Sequence, residues 1–156
     1  MSKAQTPLEL VKNVDLQRYT GKWYEIIRLP NSFEKGLECI TATYTLKSNG
    51  KIEVFNQGLK ISSQKWSNIK GFAKIPDPEQ PAKLRVTFFW PFFGDYQIIA
   101  LDDNYQYALV GSPNRKYLWI LSRTPQLDEN IIQKLLATAQ KQGFDVTPII
   151  RTPQCK

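Results

Sequence analysis

The sequence predicts an all-β fold: an eight-stranded antiparallel up-and-down barrel with one α-helix packed on its outside. Three observations predict it. Up to about residue 123 the chain falls into short segments rich in Val, Ile, Thr, Tyr, Phe and Trp. Short turn-forming links join them, so neighbours in sequence become antiparallel neighbours in space. The apolar period then lengthens, from two residues to three and four, over 128–142. Closing such a sheet removes the unpaired edges an open one would expose.

The predicted strands lie at 22–30, 38–47, 51–58, 65–74, 83–90, 95–101, 105–111 and 117–123. Asn49-Gly50 marks the hairpin after the second, where a tight I′ turn takes positive φ at both central residues. Asp77-Pro78 separates the fourth strand from the fifth, and Gly94-Asp95 opens the sixth. Asp102-Asp103-Asn104 and Ser112-Pro113-Asn114 make the last two links. In the third strand Ile52, Val54 and Asn56 oppose Lys51, Glu53 and Gln57; in the fifth, Leu84, Val86, Phe88 and Trp90 oppose Lys83, Arg85 and Thr87. Those strands have a wet outside and an apolar inside. The last three are apolar on both faces, as with Tyr96 and Ile98 against Ile99 and Leu101, or Tyr117, Trp119 and Leu121 against Leu118 and Ile120. Something must cover their outside. The stripe Ile131, Ile132, Leu135, Leu136 and Ala139 makes the helix that cover. Asp128 and Glu129 suit its positive end, and Gly143 suits a left-handed stop. A short strand at 146–150 follows. The chain reads as one domain, with the barrel at about 21–123, the helix at about 128–142 and a tail at 144–156.

Composition narrows the chemistry. The chain has 156 residues, 42% hydrophobic and 12% aromatic, enough to line a core. No run is long and apolar enough for a transmembrane helix. There is no histidine, which excludes His-based triads and His-ligated zinc or haem, and two cysteines cannot build a four-cysteine metal site. No metal or cofactor is expected. A net charge of +7 admits nucleic acid, an anionic membrane or an acidic ligand. Nucleic acid fits poorly, because the aromatics fall on inward faces rather than alternating with cations on an exposed one. The first residues, MSKAQTPLEL, lack the apolar core of a secretory signal. That fits either a cytosolic chain or a mature segment.

Gly21-x-Trp23 opens the first strand, Asp102-x-x-Tyr105 makes the sixth-to-seventh turn, and Arg123 closes the eighth strand. This ordered triplet resembles the lipocalins. The stretches RYTGKWYEI, FEKGLECITATYTL, ALVGSPNRKYLWILSRTP and GFDV look like the bacterial outer-membrane lipoprotein lipocalins, apolipoprotein D and the temperature-induced plant lipocalins. The resemblance implies a closed end built from Gly21, Trp23, Asp102, Tyr105 and Arg123, with the guanidinium packed across the indole. It also implies that Cys39 and Cys155 are bridged. The alternative is two free thiols. No lipidated N-terminal cysteine of the bacterial relatives is matched.

Strand alternation gives an inward list of Tyr44, Val54, Asn56, Val86, Phe88, Tyr96, Ile98, Tyr107, Leu109, Trp119 and Leu121. The resemblance makes these the ligand pocket, with Asn56 and the hydroxyls of Tyr44, Tyr96 and Tyr107 as polar anchors. Strand parity puts Phe33, Lys35, Trp90, Phe92, Phe93, Arg115 and Lys116 at the mouth, where exposed aromatics beside cations suit a membrane surface. The expected function is non-catalytic carriage or scavenging of a small hydrophobic ligand. Fatty acids or lysophospholipids are favoured over retinoids, steroids or bilins. The expected setting is periplasmic or outer-membrane-associated, otherwise secreted or cytosolic at a membrane, as a monomer or weak dimer. A rival reading is a lipid isomerase using Cys39, which a Cys39–Cys155 bridge would disable. Glu34 and Glu38 show no spacing that suggests acid–base machinery.

Overall fold

Asp15 sets the first local structure: its carboxylate accepts from the backbone N–H groups of Gln17 and Arg18 and caps a one-turn helix, α1 (Leu16–Tyr19). The computed structural model describes residues 6–89 and 92–155. After α1 come β1 (Gly21–Arg28), β2 (Leu37–Leu46), β3 (Ile52–Lys60), β4 (Trp66–Lys74), β5 (Lys83–Phe89), β6 (Phe92–Leu101), β7 (Tyr107–Gly111) and β8 (Leu118–Ser122). The helix α2 (Glu129–Lys141) and a short β9 (Ile150–Arg151) follow. Neighbouring strands pair antiparallel in the order β2-β3-β4-β5-β6-β7-β8-β1-β9, and β1 also pairs β2, which closes the barrel.

The seam between β1 and β2 is unusual. Near the floor they pair directly, with Trp23 opposite Ala42. Further up they part, and β9 pairs with β1 instead, with Arg151 opposite Ile27. The tail continues down the gap. Thr152 N–H donates to the Ile26 carbonyl at 3.0 Å, and Cys39 N–H donates to the Pro153 carbonyl at 2.8 Å. A Cys39–Cys155 disulfide fastens the tail to β2.

Two apolar clusters divide the molecule. One fills the barrel, with Trp23, Tyr44, Ile52, Val54, Ile98, Val110 and Leu121 among its buried members. The other lies between the barrel wall and α2, where Ile132, Leu135, Leu136 and Ala139 pack on Ile27, Leu109, Leu118 and Ile120. Asp128 caps α2 through the Asn130 N–H at 2.7 Å, and Gly143 leaves the helix at a φ of +95°. Phe144 then turns under the wall. A β-carbon on Gly111 would sit 2.7 Å from its ring, so only glycine admits it.

Several expectations are corrected. The β2–β3 hairpin is not a I′ turn. Lys47 N–H bonds the Lys51 carbonyl and Gly50 N–H bonds the Lys47 carbonyl, while only Gly50 takes positive φ, +84°. This is the three-residue loop in which a left-handed glycine completes the turn. The sixth strand starts three residues early, at Phe92, because the β5–β6 hairpin pairs Phe89 with Phe92. The last strand is only Ile150–Arg151. Tyr107 and Leu109 face outward beneath α2, and Ala108 and Val110 face the lumen. In YALVG every position is apolar or small, so alternation carries no sidedness. The large residues take the space under the helix and the small ones the crowded lumen.

Candidate functional site

The floor is built from α1, the start of β1 and the end of β8. Trp23 is fully buried and donates its indole N–H to the Tyr19 carbonyl at 2.8 Å. The Arg123 guanidinium lies 3.7 Å from the Trp23 ring centroid and donates to the carbonyls of Arg18, Tyr19, Lys22 and Tyr105. It thus ties α1, β1 and the β6–β7 turn together. Gly21 has a φ of +105°, and a β-carbon there would crowd the Arg123 head at 3.2 Å. Asp102 accepts from the Gln106 N–H, and the Tyr105 hydroxyl accepts from the Asp15 N–H at 2.8 Å.

Above the plug sits a layer of tyrosines. The hydroxyls of Tyr19 and Tyr96 are 2.5 Å apart, and Tyr44 stacks on Tyr19 and meets Tyr96 edge-on. Burial pushes the Tyr44 phenol up to about 12 and those of Tyr19 and Tyr96 up as well, so all three stay protonated at neutral pH. Together with Ile52, Ala73, Leu84 and Val86 they surround a void of only about 10 Å³. The lower lumen is therefore filled, and the expected anchors Tyr44 and Tyr96 have hydroxyl partners among themselves. Tyr107, on the outer face, is not an anchor.

Above this layer the lumenal residues are less completely buried. Asn56, Val86, Phe88 and Trp119 lie on lumenal positions, since Asn56 pairs with Ala42, Val86 with Ala73 and Trp119 with Val110. They remain part-exposed, whereas Val54, Ile98 and Leu121 deeper down are buried.

One charged group interrupts this wall. Glu25 pairs with Leu121 and Arg28 with Trp119, so both sit on lumenal register. They are 4% and 5% exposed, and Glu34, from the β1–β2 loop, is 8% exposed. The Arg28 Nη1 donates to Glu25 Oε2 at 3.1 Å and to Thr152 Oγ1, and Thr152 donates to the same carboxylate oxygen at 2.6 Å. Glu34 Oε1 accepts from the Trp119 indole N–H and from Asn31, each at 2.8 Å. Burial, and then the hydrogen-bonded Glu34 carboxyl, hold the Glu25 carboxyl well above the usual carboxylate range.

Comparison with known proteins places this architecture. A family model described as a lipocalin-like domain matches residues 14–154. The chain is 46% identical over 145 residues to the outer membrane lipoprotein Blc of Escherichia coli, covering 93% of this chain and 82% of that one. The chain is a lipocalin. It is also 39% identical over 152 residues to apolipoprotein D of Mus musculus, covering 92% and 78%. Insecticyanin from the tobacco hornworm Manduca sexta shares the fold with a TM-score of 0.78 at 22% identity, covering 97% of this chain and 87% of that one.

The mouth of this lipocalin differs from the expected one. Phe33 is 60% exposed and leans on Tyr117 and Trp119, and Lys35 and Lys116 are exposed beside it. Arg115 is not a rim charge: its Nε donates to the Gln142 carbonyl at 2.8 Å, so it caps the C-terminal end of α2. Phe93 is not in a mouth loop either. It lies in β6 on the outer wall, edge-on to Phe72 with the Lys74 ammonium over its ring. Trp90 and the Phe92 side chain lie outside the described residues. Sequence reasoning missed Glu25 and Arg28. Alternation from Trp23 does put Glu25 inside, but a register shift between Glu25 and Ile27 brings Arg28 to the same face and hides the pattern.

Proposed function

We propose that this lipocalin binds small amphipathic lipids, fatty acids or lysophospholipids, without chemical change, near an envelope membrane. The observation that carries this is the part-exposed apolar lumen above the tyrosine layer. An acyl chain would run down past Phe88 and Val86 and stop at Tyr96. Each buried methylene contributes about 0.8 kcal/mol until the chain reaches that stop. Similarity to an outer membrane lipoprotein supports the setting. So does the mouth end, which carries exposed Phe33, Ile61 and Trp66 among Lys35, Lys60, Lys65 and Lys116. A non-catalytic role fits the bridged Cys39, which offers no thiolate.

Displacement of a fluorescent fatty acid from delipidated protein tests this. Saturable displacement is expected, weakened by Trp119→Ala and by Phe88→Ala. No saturable binding after delipidation overturns the proposal.

A further inference from the structure

The Glu25–Arg28–Glu34 group lies on the lumenal face without any part in holding the floor. Its hydrogen bonds are nearly complete, with two gaps: Arg28 Nε and Glu34 Oε2 are buried without a partner. A buried polar group left unpaired costs free energy, so each gap is a statement about what is missing. The gap at Glu34 has an internal answer. Burial and the neighbouring Glu34 carboxyl hold Glu25 well above the usual carboxylate range, so Glu25 faces Glu34 as an acid rather than as a second anion. The gap at Arg28 Nε has no such answer. It is a charged donor lacking one acceptor oxygen, beside the part-exposed lumenal Trp119.

We propose that Arg28 is the headgroup contact of the lumen, accepting an anionic oxygen of an amphiphile, and that anion entry draws a proton onto Glu25. This rests on the lipid-binding reading above and names the residues that select the headgroup.

The surroundings leave few other groups to interfere. From β2 the cluster faces the Tyr44 phenol, whose partners Tyr96 on β6 and Tyr19 on α1 stay protonated with it. The tail contributes only the Thr152 hydroxyl, β8 the Trp119 indole, and the loop Asn31. Among the described residues, Arg28 is the one buried cation; Lys60 shares the lumenal parity of β3 but is exposed at its end, and Lys22, Lys51, Lys70, Lys74, Lys83 and Arg85 take the opposite register. With Glu25 ionised, an entering anion meets the carboxylate bonded to Arg28. With Glu25 protonated, that opposition is removed. Anion affinity therefore rises as pH falls.

Two probes with the same tail and different heads test this. Dodecane-1-sulfonate stays anionic at every pH used, and dodecan-1-ol is neutral. Titration calorimetry on the delipidated full chain, from pH 5.5 to 8.5 in buffers of different ionisation enthalpy, reads affinity and protons exchanged. Sulfonate affinity is expected to fall with rising pH, by up to about tenfold per pH unit for one linked proton, with net proton uptake; dodecanol affinity is expected to stay flat. Glu25→Gln should flatten the sulfonate profile. The double variant Arg28→Gln with Glu25→Gln, which leaves no lone buried charge, should lose the preference for sulfonate at low pH. Dodecanol binding with sulfonate excluded, or sulfonate binding without proton uptake, overturns this inference alone. Failure of both probes to bind overturns the lipid-binding reading and this inference with it.

Discussion

Glu25 shows how one buried side chain sets a pH response. Its carboxyl is raised by burial and by the neighbouring Glu34 carboxyl, so the folded state binds its proton more tightly than the unfolded chain does. Stability from that proton is fully present below the unfolded carboxyl value, about 4.3, and is lost as pH rises through the raised folded value. Urea unfolding at pH 5 and pH 8 should therefore show a larger stability loss in the native chain than in Glu25→Gln. Equal losses would mean that Glu25 titrates normally. Trp23 makes a different point. It is fully buried, holds the Tyr19 carbonyl and carries the Arg123 cation on its face. Trp23→Ala should cost about 3–5 kcal/mol in unfolding free energy. Its effect on the affinity of the protein that remains folded should be small, because the tyrosine layer separates Trp23 from the upper lumen.

At the scale of elements, α2 is the cover for an otherwise greasy wall. Leu136 is buried in the cluster that α2 forms with the outer faces of β1 and β8. Leu136→Ala should lower stability by about 2–5 kcal/mol, read by chemical denaturation, with lipid affinity unchanged since this cluster lies outside the barrel. The elements also show what a sequence can and cannot reveal. Where one face meets water, as in β3 and β5, alternation of Ile52-Val54-Asn56 or Leu84-Val86-Phe88 identifies the lumenal side unambiguously. Beneath α2 both faces are dry, and Tyr107 and Leu109 could be read on either side. Helix α2 announced itself through its period and its Asp128 cap, whereas the single turn of α1 is too short to have a period. The charged group in the wall was hidden for another reason. Its members come from β1, a loop and the tail, and a register shift separates Glu25 from Arg28. Arg115 looked like a rim cation because its partner, the Gln142 carbonyl, belongs to an element 27 residues on.

For the whole molecule, the tail is part of the wall. The Cys39–Cys155 bridge spans 116 residues and fastens the last strand into the seam. A crosslink closing a loop of that size contributes about 4–5 kcal/mol in the chain-entropy treatment. Cys39→Ser with Cys155→Ser should lower the urea midpoint accordingly, and dithiothreitol should reproduce the shift in the native chain. An unchanged midpoint would show that the hydrogen bonds of Thr152 and Cys39 hold the tail unaided.

That seam also has a consequence for how the chain is made. Synthesis runs from the first residue to the last, so β1 and β2 leave the ribosome long before the segment that fills the slot between them. Until residues 150–155 emerge, the vessel has a slit down its side, with the Ile26 carbonyl and the Cys39 amide unsatisfied and the Glu25–Arg28 pair reachable by water from the flank. A closed wall thus exists only once residues 150–155 have filled the slot and Cys155 has been oxidised onto Cys39.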